Sequence, residues 1–163
     1  MTVPTPLPAA DRAELARAVL STAADAIIAT DREGLITFWN PGAARIFGFS
    51  NEEALGQSLD IIIPENLRKR HWDGYHHTMA TGTSRYGEAD LLAVPGLRKD
   101  GSRVSVEFTI VMLKDAAGAM AGTAAILRDV TKQFEELRRL RRQLAGAKAA
   151  APAAVTASTT ATA

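Results

Sequence analysis

RVSVEFTIVML, residues 103–113, is the stretch whose reading decides the fold. Val104, Val106, Phe108, Ile110 and Met112 fall on one side of an extended chain, while Arg103, Ser105, Glu107 and Thr109 fall on the other. A period of two with one apolar and one polar side predicts a strand with one face on a core and one in water. Turns bracket it. KDG (99–101) precedes the stretch and DAAG (115–118) follows it, each supplying the aspartate and glycine that a chain reversal favours. The flanking segments, 88–97 and 119–129, are then its antiparallel neighbours.

Upstream, AIIATD (26–31), the turn REG and LITFWN (35–40) read as a hairpin, with Gly34 suited to positive φ. Pro41 and Gly42 end its second strand. AARIFGF and SNEEALGQ each carry a short helical turn, and Ser50 with Glu53 forms a capping-box pattern. PENLRKRHWDGYHHTMATG (64–82) is the longest internal helix signal, with Pro64 at its start and Gly82 as its stop. The order predicts an α+β domain: one five-stranded antiparallel sheet, helices on one face, and a pocket between the sheet and the long helix. Asp11 predicts the cap of a flanking helix over 11–24, in which Leu15, Val19, Leu20, Ala23 and Ala24 recur at helical spacing. Residues 1–10, rich in proline, and 147–163, nearly all Ala and Thr, have little to bury and are expected to be disordered.

Composition narrows the function. A chain of 163 residues suits one domain, and 19 Lys plus Arg against 18 Asp plus Glu leave no basic field to hold nucleic acid or an anionic membrane. Zero cysteines exclude disulfides, thiolate metal sites, a catalytic thiol and photochemistry that ends in a cysteinyl adduct. No apolar run approaches the ~20 residues of a membrane span, and the first residues lack the pattern of a signal peptide. A soluble cytoplasmic protein is expected. There is no nucleophile elbow, phosphate-binding loop or metal-spaced carboxylate pair, so the expectation is a module that is not an enzyme.

These segments resemble the PAS family of sensory domains. The resemblance runs from DAIIATDREGLITFWNPGAARIFGFSNEEALGQ through KDGSRVSVEFTIVML to ILRDVT, covering 25–131. It implies the fold already reached from periodicity, a five-stranded antiparallel sheet cupping a ligand or an apolar core, and a role in sensing and interaction.

All three histidines, His71, His76 and His77, lie in the long helix. No two are four apart, so they cannot make the paired imidazoles of a helical zinc site. The helical period groups His71 with Leu67, Trp72, Tyr75 and Met79 on the inward stripe. Two readings of His71 are open. It is a core-edge imidazole bonded to a backbone carbonyl, or a neutral imidazole facing an apolar pocket, the arrangement of a haem axial ligand.

RHWDGYHHTMATG is similar to the helix of haem-containing PAS domains of the FixL oxygen-sensor type. The resemblance implies haem b, with His71 as proximal ligand, Tyr75 beside it, and Thr81 closing the segment. His77 and Arg85 stand where that motif contacts the haem propionates, with the residue types exchanged. Leu91 replaces the arginine that holds bound oxygen, so carbon monoxide, nitric oxide and the iron's redox state join oxygen as signals. Phe108 and Ile110 occupy the distal positions. Met112, on the same face, either ligates iron through its soft thioether or simply packs. The competing expectations are a cofactor-free module for dimerisation or protein interaction, and a sensor that binds a small metabolite or a flavin, FAD or FMN, with Trp39 and Asn40 as the flavin contacts.

The resemblance also implies a relay through Asp129, Val130 and Thr131 into an amphipathic helix over 132–146. Val130, Phe134, Leu137 and Leu144 follow one seam with Arg141 at the skipped position, which predicts a homodimer. The expected output partner is another signalling chain, a kinase or a transcriptional regulator. LRRLRRQ is preceded by Glu135 and Glu136 at pairing distance, so it reads as a solvated helix face and not as a DNA contact.

Overall fold

The structure, a computed structural model, describes residues 7–84 and 91–150, the side chains of 147–150 left aside. Helix α1 (Ala9–Leu20) leads into strands β1 (Ala26–Asp31) and β2 (Ile36–Trp39). Then come α2 (Pro41–Phe47), α3 (Asn51–Ala54), a 3-10 turn (Leu59–Ile61) and the long helix α4 (Glu65–Thr81). Strands β3 (Leu92–Leu97), β4 (Arg103–Lys114) and β5 (Met120–Asp129) follow, and α5 (Thr131–Ala150) ends the described chain. The sheet runs β2-β1-β5-β4-β3 with every pair antiparallel, the five-stranded arrangement that the periodicity predicts. Residues up to Thr131 form one unit and those from Lys132 another.

Local chemistry sets each element. In the β1–β2 turn the Asp31 carboxylate accepts from the backbone of Glu33 (3.0 Å) and Leu35 (2.8 Å). Gly34 takes φ +83° there, and a Cβ on it would stand 2.3 Å from the Trp72 ring, so the turn and α4 meet only because that residue is glycine. Asn40 caps α2 through Ala43 N (2.8 Å), and Ser50 and Glu53 complete a capping box on α3. Gly82, in the left-handed conformation, stops α4.

The closed core gathers Ile28 and Trp39 from the hairpin, Ile46 and Phe47 from α2, and Val104 and Val106 from β4. Each such side chain contributes about 1.5–3 kcal/mol by leaving water. The inward row of β4 changes character along its length. Val104 and Val106 are 1% and 2% exposed, whereas Phe108, Ile110 and Met112 are half-buried, because beyond the closed core they face a cavity.

The helix boundaries differ from expectation. α1 begins at Ala9, within the stretch expected to be disordered, with Pro8 at its cap; Asp11 sits in its first turn and caps nothing. It ends at Leu20, short of Ala23 and Ala24, because long-range side chains capture the following backbone. Asn40 Nδ2 donates to Thr22 O (2.9 Å) and Asp25 O (3.0 Å), and Arg45 donates to Ala23 O and Ala24 O (2.7 Å each). α5 continues past 146 to Ala150.

Candidate functional site

A cavity of about 440 Å³ lies between the inner face of the sheet and α4. Ligand pockets span roughly 300–1,000 Å³. Val106, Phe108, Ile110 and Met112 of β4, Ala125 and Leu127 of β5, and Leu92 and Val94 of β3 supply the sheet wall. Leu67, Arg70, His71, Gly74, Tyr75 and Thr78 supply the helix wall. Three residues fix that helix. Trp72 Nε1 donates to Asp60 Oδ1 (2.8 Å), Arg68 donates to Ile63 O and Asp60 O (3.1 Å each), and the Tyr75 hydroxyl bonds Thr30 Oγ1 (2.8 Å) and donates to Asp31 O.

His71 is half-buried on the cavity wall, its ring 4.8 Å from that of Trp72 and 5.9 Å from that of Tyr75, centroid to centroid. Burial pushes its pKa below the ordinary value, against a smaller upward pull from the Asp60 carboxylate. The imidazole is therefore held neutral. Its Nδ1 is buried and meets no hydrogen-bond partner among the described residues. Nδ1 therefore does not supply the carbonyl bond expected of a core-edge imidazole. Buried polar atoms are ordinarily paired, which makes the orphan nitrogen the most informative atom of the site.

The structure gathers His71, Tyr75, Phe108, Ile110 and Met112 around the cavity and leaves other expected members outside it. His77 is exposed and away from the wall, as is His76, which stacks on Trp72. Leu91 is 62% exposed ahead of β3; its neighbour Leu92, the ladder partner of Phe108, takes the inward place. Arg85 lies outside the described residues. Trp39 and Asn40 are committed elsewhere. Trp39 Nε1 donates to Phe49 O (3.1 Å), and Asn40 spends Oδ1 on Ile27 N and Ala43 N (2.8 Å each) and Nδ2 on the backbone ahead of β1.

Sequence reasoning missed two networks. Thr30 Oγ1 joins Tyr75 to Thr123 Oγ1 (3.1 Å), making a polar corner at the cavity where burial raises the Tyr75 pKa. The signal was a threonine at the third inward position of AIIATD. At the exit, Asp129 accepts from Thr131 N (2.9 Å) and pairs with Arg98 Nη2 (2.9 Å). Burial alone would raise its pKa; the bonds from Thr131 and the Arg98 charge outweigh that and leave it low. Arg98 also donates to Ile46 O (2.9 Å) and Arg103 O (3.1 Å). Ser105 completes the junction, accepting from Val130 N (2.9 Å) and donating its N–H to Thr131 Oγ1 (3.0 Å).

An antiparallel sheet closed over an apolar cavity by one long helix places this chain among the small α+β sensory modules. The profile of the family described as the PAS fold matches residues 14–130, and the chain belongs to that family. The sensor protein FixL of Bradyrhizobium diazoefficiens is 32% identical over 124 residues, 76% of this chain and 24% of that protein. The oxygen sensor protein DosP of Escherichia coli is 28% identical over 102 residues, 62% of this chain and 12% of its own length. A crystallised PAS domain from Colwellia psychrerythraea superposes with a TM-score of 0.64 at 25% identity, over 75% of this chain and 98% of that one. The chain thus spans a quarter or less of the two curated relatives.

Proposed function

We propose that this PAS module holds haem b in the cavity, with His71 as axial ligand, and signals a diatomic gas or a redox change. The observation that carries the reading is the orphan Nδ1 of a neutral imidazole on the wall of an apolar cavity. An uncharged imidazole is the form that binds metal. Among the described residues no three His, Asp or Glu side chains converge, so a bare cation would find too few donors here. A metal that arrives with its own equatorial ring suits a single histidine. Haem bound here would supply the iron that receives the gas or changes oxidation state. Phe108, Ile110 and Leu92 face the ligand space without a hydrogen-bond donor, so these positions give oxygen no advantage over carbon monoxide or nitric oxide. Met112, on the same wall, offers a thioether as an exchangeable contact.

Val106, in the cavity wall, is the ladder partner of Asp129, and Ser105 beside it grips Val130 and Thr131. A change at the cavity reaches α5 along this register, shifting the population between two packings of the junction. The output is a homodimer coupled to a partner signalling chain, a kinase or a transcriptional regulator. The test is a visible spectrum of protein purified with haem supplied. A Soret band lost or shifted in His71→Ala and kept in His76→Ala is expected; no band, or one indifferent to His71, overturns the reading.

A further inference from the structure

Two members of the cavity wall, Arg70 and Gly74, have no part in iron ligation. Arg70 is exposed at the cavity and makes no hydrogen bond or ion pair with any described residue. The two cations before it are tied: Arg68 to Asp60 (3.7 Å) and Lys69 to Asp73 (2.7 Å). Gly74 stands one turn beyond Arg70, within α4 and on the cavity wall. Glycine weakens a helix interior, and it is usually retained for positive φ or for close packing. Neither applies here. Gly74 is helical, and a Cβ built on it would meet nothing within 4 Å. Residues four apart share a helix face, so the free guanidinium and the bare backbone form one continuous edge of the cavity.

We propose that this edge seats an anionic amphipathic ligand, its flat apolar body over Gly74 and its carboxylate paired with Arg70. This rests on the cavity being a ligand site, but not on iron or on His71. Arginine presents a planar fork that matches a carboxylate in two parallel hydrogen bonds, and at the mouth it neutralises the charge without burying it. His77 and Arg85 are not needed for the anionic end.

Metal-free protoporphyrin IX, which has the carboxylates but no iron, is the probe, read by quenching of Trp39 and Trp72 fluorescence in the full chain. Arg70→Leu is expected to weaken its binding roughly tenfold, the effect of about one charge-assisted bond, and Arg70→Lys to recover part of that loss. The dimethyl ester of the porphyrin should not distinguish Arg70→Leu from the unaltered protein. Gly74→Ala should raise the melting temperature while weakening porphyrin binding, opposite signs that a purely structural glycine would not give. Equal affinity of the free acid for both Arg70 forms, an ester equally sensitive to Arg70→Leu, a Gly74→Ala chain that binds unchanged, or no saturable quenching overturns the proposal. Iron ligation is read separately from the His71-dependent Soret band, so either result can stand when the other fails.

Discussion

His71 gives the site a pH dependence whose sign follows from its surroundings. Its pKa in the folded chain lies below the ordinary 6.5 because burial disfavours the imidazolium. The unfolded chain therefore takes up a proton first as pH falls. The stability this group contributes is whole above 6.5 and is lost as pH falls from there through the lower folded pKa. Asp25, lowered by its hydrogen bonds from Arg128, and Asp129 act in the same direction. Their loss begins only near the ordinary carboxyl value of 3.8, so the windows separate. Between pH 7 and pH 5 the melting temperature should fall, and His71→Phe should flatten that part of the curve. An identical slope in the two proteins would count against burial of this imidazole. The inward position of His71 was legible because the helical period alone fixes which residues share its face. Leu91 was misplaced because an offset taken from a related motif is blind to where a strand begins, and one residue moves a side chain to the other side.

The strands and the long helix were legible as elements because each carries its own period, caps and turns. Their ends were less so, since distant side chains decide them. α1 stops where Asn40 and Arg45 seize the carbonyls from Thr22 to Asp25, an interaction spanning more than a dozen residues and invisible to any local pattern. Arg98 is the same kind of residue. Its place before the KDG turn says nothing of its reach, yet it ties the end of α2, the start of β4 and the Asp129 carboxylate together. Arg98→Ala removes these three bonds at once and should cost roughly 3 kcal/mol, from about 1 kcal/mol net per hydrogen bond, measured by urea unfolding. Arg98→Lys should restore only part, because the three donors of an ammonium sit on one nitrogen and cannot reach the acceptors that Nε, Nη1 and Nη2 reach separately. Thr131 N donates to Asp129 Oδ1, so freeing the carboxylate should also speed amide exchange at Thr131. Unchanged exchange there would remove Arg98 from the junction between the sheet and α5.

At the scale of the whole molecule, the described residues of two helices carry exposed apolar side chains. α1 buries none of its residues, and Leu15 and Val19 are exposed on it. α5 is held by local contacts: Arg139 pairs with Glu136, and Arg138 lies over the Phe134 ring. Its Phe134, Leu137, Leu140 and Leu144 are between 44% and 59% exposed. Most helical stability in a protein comes from packing an amphipathic face, and the apolar stripe of α5 becomes favourable only when another surface buries it. A second α5 is the simplest partner, since Phe134, Leu137 and Leu144 repeat at the spacing of a coiled-coil seam. Arg141 interrupts that seam and sets two like charges near each other, so the pairing should be modest and concentration-dependent. The unit ending at Thr131 has its own core and sheet, and it should stay folded when residues 132–163 are removed. Light scattering on eluting protein should then show a dimer fraction that rises with concentration in the full chain. The fraction should fall on truncation, fall similarly in Leu137→Glu, and rise in Arg141→Leu. If truncation leaves the mass distribution unchanged while Arg141→Leu does nothing, the seam on α5 is not the dimer contact, and the exposed face of α1 becomes the surface to test.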